Sequence, residues 1–348
     1  MRSTPSATLA SLAKYLEIHT SSVSRALDPA KRHLISPEVV ERVEAAAHKL
    51  GYRPNRAASA LRTGKSHCVG VLLPDITNPV FPPILQGIED GLREAGFFTL
   101  VANAGGSADA NAQLVRNMLA HGVDGVVLAT AAQGDLLLRM LRAAAVPVVL
   151  VNRVDSGADC AAVVSDDELG MALPVAHLQS LGHRRIAHLA GPATLSTGQR
   201  RLRAFHAALT QHGLRASLVE FCDAYSVQAG FVACQRMLAQ DGFADTTAIV
   251  ACNDLVALGA MDALRQAGLR IPEDISLTGH NDIPFMDRVQ PALTTVRIQH
   301  HEMGLSAALL LLRAMATPAT AAQISNQTLV LRPDLVVRAS TGQAHLKP

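Results

Sequence analysis

Between residues 68 and 300, short apolar runs rich in Val, Ile, Leu and Ala alternate with longer amphipathic segments. That alternation leaves few folds open. Runs such as CVGVLL (68–73) and AIVAC (248–252) are apolar throughout, as strands are when both sheet faces are covered. The pattern predicts strands near 68–73, 98–103, 125–129, 147–151, 186–191, 217–221, 247–251 and 275–279. It predicts helices near 80–95, 108–121, 134–144, 167–181, 198–212, 226–240, 253–267 and 302–315. A strand followed by a helix about every 25–30 residues builds parallel sheets. Eight strands, with one or two more after residue 290, suit two sheets better than one. Ligands in such folds lie outside the carboxyl ends of strands, so a cleft between two such units is the natural site.

Residues 8–50 are different: they carry helix signals only. Thr8 is an N-cap before an apolar face of Leu9, Leu12, Ala13 and Leu16. After a short turn (Glu17, Ile18, His19) comes a second helix, TSSVSRAL. A third starts at Ser36-Pro37-Glu38 and ends at Gly51, with Val39 or Val40, Val43, Ala47 and Leu50 as its buried stripe. Two short helices around a tight turn, braced by a third, make a helix-turn-helix head. Charge agrees. Residues 1–65 hold eleven Lys/Arg against five Asp/Glu, and residues 66–348 hold twenty against twenty-four, so a basic head sits on a mildly acidic body. Small polar residues at the start of the second helix, followed by Arg25, suit a reader of base edges. Taken alone they suit equally a capped helix with a solvated arginine.

Other classes are disfavoured. No apolar run reaches the roughly 18 residues that span a bilayer, and MRSTPSATLASLAKY lacks the apolar stretch of a secretory signal, so a cytoplasmic protein is expected. The cysteines at 68, 160, 222, 234 and 252 are odd in number with no CxxC, and read as reduced thiols, not metal ligands. Fourteen histidines form no HExxH, and no GxSxG, GxGxxG or complete P-loop is present. Gly105-Gly106 and Thr63-Gly64-Lys65-Ser66 are fragments without the rest of a nucleotide fingerprint. No catalytic residue, metal or cofactor is therefore expected.

The segments TLASLAKYLEIHTSSVSRAL and ISPEVVERVEAAAHKLGYRPNRAASALRTGKS resemble the DNA-binding head of the lactose-repressor (LacI) family. The likeness continues in order through VGVLLPDITNPVF, HGVDGVVLA, LGHRRIAHLAGP, ACNDLVALGAM, ISLTGHNDIPF and PALTTV, over about residues 8–340. It implies an all-α helix-turn-helix head and an α/β periplasmic-binding-protein-like core of two doubly wound parallel-sheet subdomains. The head would be 1–54, a hinge helix and linker 55–65, and the core 66–348. The N-subdomain would take about 66–162 and 292–321, the C-subdomain about 163–291 and 322–342, with crossings near 163, 291 and 321.

The resemblance implies that Thr20, Ser21 and Arg25 face base edges and that Ser22 and Ser24 lie beside phosphates. Tyr52, Asn55, Arg56 and Ala58 would also contact DNA, around a hinge helix at 55–62 whose Leu61 wedges between base steps in the minor groove. Three features depart from the family. Glu17 stands where Gly is usual, which is a strain if that turn needs φ > 0. His19 replaces the usual Ser N-cap and is expected to cap poorly. The loop 28–35 is about two residues longer and adds Lys31, Arg32 and His33, candidates for phosphate contact.

For the effector, the matched positions are Asn78, Phe81, Asn152, Arg153, Arg201, Tyr225, Asn253 and Asn281. Asparagine offers donor and acceptor to hydroxyls, arginine a fork, and an aromatic ring a flat face. Asn253 suits a helix cap as well, and Arg200, Arg201 and Arg203 suit a partly solvated cluster. Asn152 and Asn281 stand where sugar-binding members often carry Asp, which with Arg153 and Arg201 points to a sugar acid or other small carboxylate, with a neutral sugar as the alternative. The expected partners are a pseudo-palindromic double-stranded operator, that effector, and a second copy in a homodimer, with no membrane. Residues 337–348 carry no heptad leucines for further assembly. Pro174 falls inside a helical pattern, where it should remove a hydrogen bond and kink the helix.

Overall fold

A computed structural model of the chain describes residues 7–28, 31–52, 64–105, 107–130, 135–155, 159–317 and 324–344. The chain divides into two compact units, 1–66 and 67–348.

Among its described residues the first unit has three α-helices: α1 (Leu9–Leu16), α2 (Thr20–Ala26) and α3 (Pro37–Lys49). Leu12, Ala13, Val23, Ala26, Val43, Ala46 and Ala47 close its small core, and Tyr52 packs against it partly buried. The predicted hinge helix, with Asn55, Arg56, Ala58 and Leu61, lies outside the described residues.

The second unit holds two six-stranded sheets. The first contains β1 (Cys68–Leu73), β2 (Phe98–Asn103), β3 (Gly125–Leu128), β4 (Val148–Val151), β5 (Ala161–Ser165) and β11 (Thr328–Leu331), in the order β11-β5-β4-β3-β1-β2. All its pairs are parallel. The second contains β6 (Ile186–Ala190), β7 (Ala216–Phe221), β8 (Ala248–Ala251), β9 (Ser276–Asn281), β10 (Thr294–Arg297) and β12 (Asp334–Val336), in the order β12-β10-β9-β8-β6-β7. There only β10–β12 is antiparallel. The inner strands are apolar on both faces because helices cover both. These helices are α4 (Phe81–Arg93), α5 (Ala108–Ala120), α6 (Leu136–Ala143), α7 (Asp167–Ser180), α8 (Ser196–Gln211), α9 (Val227–Leu238), α10 (Asp254–Gln266) and α11 (His300–Ala316).

The chain changes sheet later than predicted. β5 pairs with β4, so the first crossing follows Ser165, close to the expected 163. β10 pairs with β9, which moves the second from near 291 to beyond Arg297. β11 pairs with β5, so the third falls between Leu331 and Asp334, not near 321. The subdomain boundaries at 162, 291 and 321 move accordingly. Three strands follow residue 290, one more than expected. The physical reason is that AAVVS and TLVL read alike as β-formers, and hydrogen-bond pairing alone assigns each to a sheet. Helix α7 continues through the buried Pro174.

Helices α4 and α11 meet through glycine. A Cβ on Gly304 would stand 1.9 Å from the Ile84 carbonyl oxygen, and one on Gly87 2.0 Å from the His301 carbonyl oxygen. Both obstacles are backbone, so neither can swing away. Gly304→Val is expected to destabilise the protein by about 3 kcal/mol or more through overpacking, read as a fall in Tm. A variant as stable as wild type would show that the helices can part.

Candidate functional sites

In the head, α1 begins with a reciprocal cap: Ser11 N donates to Thr8 Oγ1 (3.1 Å) and Thr8 N to Ser11 Oγ (2.8 Å). Glu17 ends it in the left-handed region, at φ 54° and ψ 38°, so the turn does need positive φ. His19 corrects the prediction. Its Nδ1 accepts from Ser21 N at 3.2 Å and lies 2.7 Å from Ser21 Oγ, so the ring caps α2. On α2, Thr20 and Ser24 lie one turn apart, as do Ser21 and Arg25, away from the buried Val23 and Ala26. Thr20, Ser21 and Arg25 are exposed, and Ser22 and Ser24 partly buried. In the longer loop, Lys31 pairs with Asp28 at 3.2 Å and Arg32 with Glu44, so two of the three candidate phosphate contacts have acidic partners within the head. Glu17→Gly is expected to stabilise the head by about 0.5–1 kcal/mol, and His19→Ala to destabilise it by about 1 kcal/mol. Chemical denaturation of the two variants checks both signs.

In the core, all eight predicted effector residues line one cavity, together with Val80 and Thr197. Asn78, Val80, Phe81, Asn152 and Arg153 follow strands β1 and β4 of the first sheet. Thr197, Arg201, Tyr225, Asn253 and Asn281 come from the ends of β6 to β9 in the second. Every one lies at or beyond a strand's carboxyl end, where a parallel sheet leaves its loops free. The space between them is about 20 Å³, little more than a single water occupies.

The side chains are held individually. Arg201 is 4% exposed; its Nε donates to Asp167 Oδ1 (2.9 Å) and its Nη1 to the Cys252 carbonyl (2.8 Å). Burial opposes its charge, but Asp167 more than restores it, so its pKa lies above the usual value. Asp167 also meets Arg200 at 3.4 Å. Tyr225 Oη and Thr197 Oγ1 are 2.8 Å apart, and burial pushes the phenol up to about 12. The ring lies against Gly191, where a Cβ would come within 2.6 Å of it. Asn253 caps α10, its Oδ1 accepting from Val256 N at 2.8 Å, and lines the cavity as well. Asn78 Oδ1 accepts from Val80 N at 3.2 Å. Arg153 is partly buried, and its Nε is buried with no hydrogen-bond partner among the described residues.

Sequence reasoning missed three contributors. Thr197 lies four residues before Arg201, on the same face of α8, and that spacing could have found it. Val80 adjoins Phe81. Asp167, which positions Arg201, carries no signal beyond an acidic residue in a helix's first turn.

The core also holds buried titratable groups outside the cavity lining. Burial holds His188 and His300 down to about 4 and His280 well below its usual value. Burial pushes Asp254 up to about 6, although Thr295 Oγ1 and Ile283 N donate to it. The three histidines bind fewer protons folded than unfolded, so their contribution to stability is lost as pH falls from about 6.5 toward 4. Asp254 acts oppositely over about 6 to 4, but with one proton against three. The fully buried His188 should cost about 2 kcal/mol at pH 5, and His280 acts in the same direction. Tm is expected to fall clearly between pH 7 and pH 5, and His300→Gln to flatten that slope. A Tm rising toward acid would contradict the assignment.

Residues 175–341 match the family model described as a periplasmic binding protein-like domain. The HTH-type transcriptional regulator MalR of Streptomyces coelicolor is 33% identical, covering 97% of each chain. The lac repressor dimer bound to operator and the anti-inducer ONPF superposes with a TM-score of 0.84 at 28% identity, over 97% of this chain and 99% of that one. The transcriptional regulator CelR in complex with cellobiose does so with a TM-score of 0.72 at 29% identity, over 96% and 99%. A helix-turn-helix head joined to a two-sheet, ligand-cleft core defines a class of effector-controlled DNA-binding regulators, not enzymes. This chain belongs to the LacI family of transcriptional regulators. Among the described residues no helix is long and apolar enough to cross a membrane.

Proposed function

We propose that the protein is a cytoplasmic homodimeric repressor whose grip on a pseudo-palindromic operator is set by a small polyhydroxylated effector, a sugar or sugar acid, bound in the core cavity. The observation that carries this reading is the convergence of ten side chains from both sheets on one space. Closure of such a cleft around a ligand is a two-state event, and coupling of about 1–3 kcal/mol changes operator affinity roughly 5–150-fold. MalR is named a transcriptional regulator, the lac repressor dimer binds operator and the anti-inducer ONPF, and CelR binds cellobiose, which supports the same assignment here.

In the head, Thr20, Ser21 and Arg25 read base edges, and Ser22 and Ser24 sit by phosphates. Thr20, Ser21 and Arg25 are the exposed residues of this set, opposite the face that packs on α1 and α3. Tyr52, Asn55, Arg56, Ala58 and Leu61 extend the contact through the hinge. Two copies of the head read two half-sites.

The test is selection of genomic fragments by purified protein at two salt concentrations, beside Arg25→Ala. Wild type is expected to recover a pseudo-palindrome. Loss of one bidentate arginine–guanine contact should cost about 1–3 kcal/mol, roughly 5–150-fold in affinity. Sequence-indifferent binding that falls steeply with salt, unchanged in the variant, would leave only phosphate attraction.

A further inference from the structure

The charges around the core cavity do not balance. Among the described residues two guanidinium groups line it, those of Arg153 and Arg201, and no carboxylate does. Arg201 is compensated by Asp167, which Arg200 shares. The other acids nearby are engaged elsewhere. Asp254 accepts from Thr295 and Ile283, and Asp282 pairs with Arg297 and Arg338 at 2.7 Å each. Asp155, two residues along, accepts from the Asp135 amide at 3.2 Å. Among the described residues no ion pair reaches Arg153, and its buried Nε donates to nothing.

A guanidinium is charged at any working pH and has five N–H donors in a fixed fork. Held in a closing cleft without a counter-ion, it is an incomplete site, because burial of an unpaired charge is costly. Burial lowers its proton affinity and the positive charge of Arg201 adds to the effect, while the Tyr225 hydroxyl works against it. The remaining polar lining is neutral: Asn78, Asn152, Asn253, Asn281 and Thr197. Those groups exchange hydrogen bonds with hydroxyls but add no charge. Phe81 and Tyr225 supply apolar faces of the size of a sugar ring.

We infer that the effector is a small polyhydroxylated anion whose carboxylate or phosphate group pairs with the Arg153 fork. The inference rests on the core cavity being the effector site, as proposed above. It assigns Arg153 the charge recognition and the asparagines the hydroxyls. Arg201, already neutralised, keeps the cavity's shape. A neutral sugar leaves Arg153 uncompensated and is the disfavoured ligand.

The experiment uses the full-length protein with three matched pairs at fixed ionic strength: glucose and gluconate, galactose and galacturonate, ribose and ribose 5-phosphate. Thermal shift and calorimetry are run on wild type, Arg153→Met, Arg153→Lys and Asn152→Ala. At least one anion is expected to bind ten times tighter than its neutral partner. Arg153→Met should erase that advantage and Arg153→Lys should keep part of it; the sugar acids and the phosphate ester separate the two anion sources. If no anion outperforms its neutral partner, the inference is overturned. A neutral sugar that binds wild type and Arg153→Met alike but is lost in Asn152→Ala overturns it too, while leaving the cavity as the effector site. An anion that binds all four proteins equally overturns the location of the site itself.

Discussion

The buried ion pair between Arg201 and Asp167 is the interaction on which the cleft depends. Asp167 begins α7, just after the chain leaves the first sheet. Arg201 lies one turn into α8, and its second bond goes to the Cys252 carbonyl after β8. Three separate segments are thus fixed to each other at the mouth of the second sheet. The pair is almost wholly shielded from water, where losing one member typically costs about 3–5 kcal/mol because the other is left charged and dry. The same pair neutralises one of the cavity's two arginines; among the described residues no ion pair reaches the other.

Around this anchor the backbone is bent to present side chains. Asn152 (φ 65°), Asn281 (φ 116°), Asp282 (φ 55°) and Phe285 (φ 75°) all occupy positive φ at or near the ends of β4 and β9. Short polar side chains tolerate this region better than most, which suits asparagine to two cavity positions on conformational as well as chemical grounds. Strain of this kind persists where the surrounding packing over-determines it. Here the packing is a pair of sheets buried on both faces and braced by helix contacts too close for any Cβ.

Much of this architecture was legible in the residues. The apolar runs at 68–73, 125–129 and 247–251 are strands because nothing else buries them, and the helices between them follow their amphipathic period. The eight residues expected to meet an effector, chosen by their place after strands within family motifs, line one cavity. What failed has a physical explanation. β5 was not predicted as a strand, and the segments holding β10 and β11 were placed in the wrong subdomain, because a run such as AAVVS or TLVL has no address until its neighbours hydrogen-bond to it. His19 was expected to cap poorly on a statistical preference, but its Nδ1 is placed to accept from Ser21, which depends on how the ring turns.

The sequence by itself determined the kind of elements, their order, the basic head, and the residue types available to a ligand. These follow from local rules: period, capping, turn chemistry and charge. Only the tertiary structure decided where the chain crosses between sheets, that Asp167 meets Arg201, and that no acidic side chain among the described residues pairs with Arg153. Those outcomes depend on which distant segments come within about 3 Å of each other, and residues 34 positions apart in the chain, as Asp167 and Arg201 are, meet only through the packing of α7 against α8.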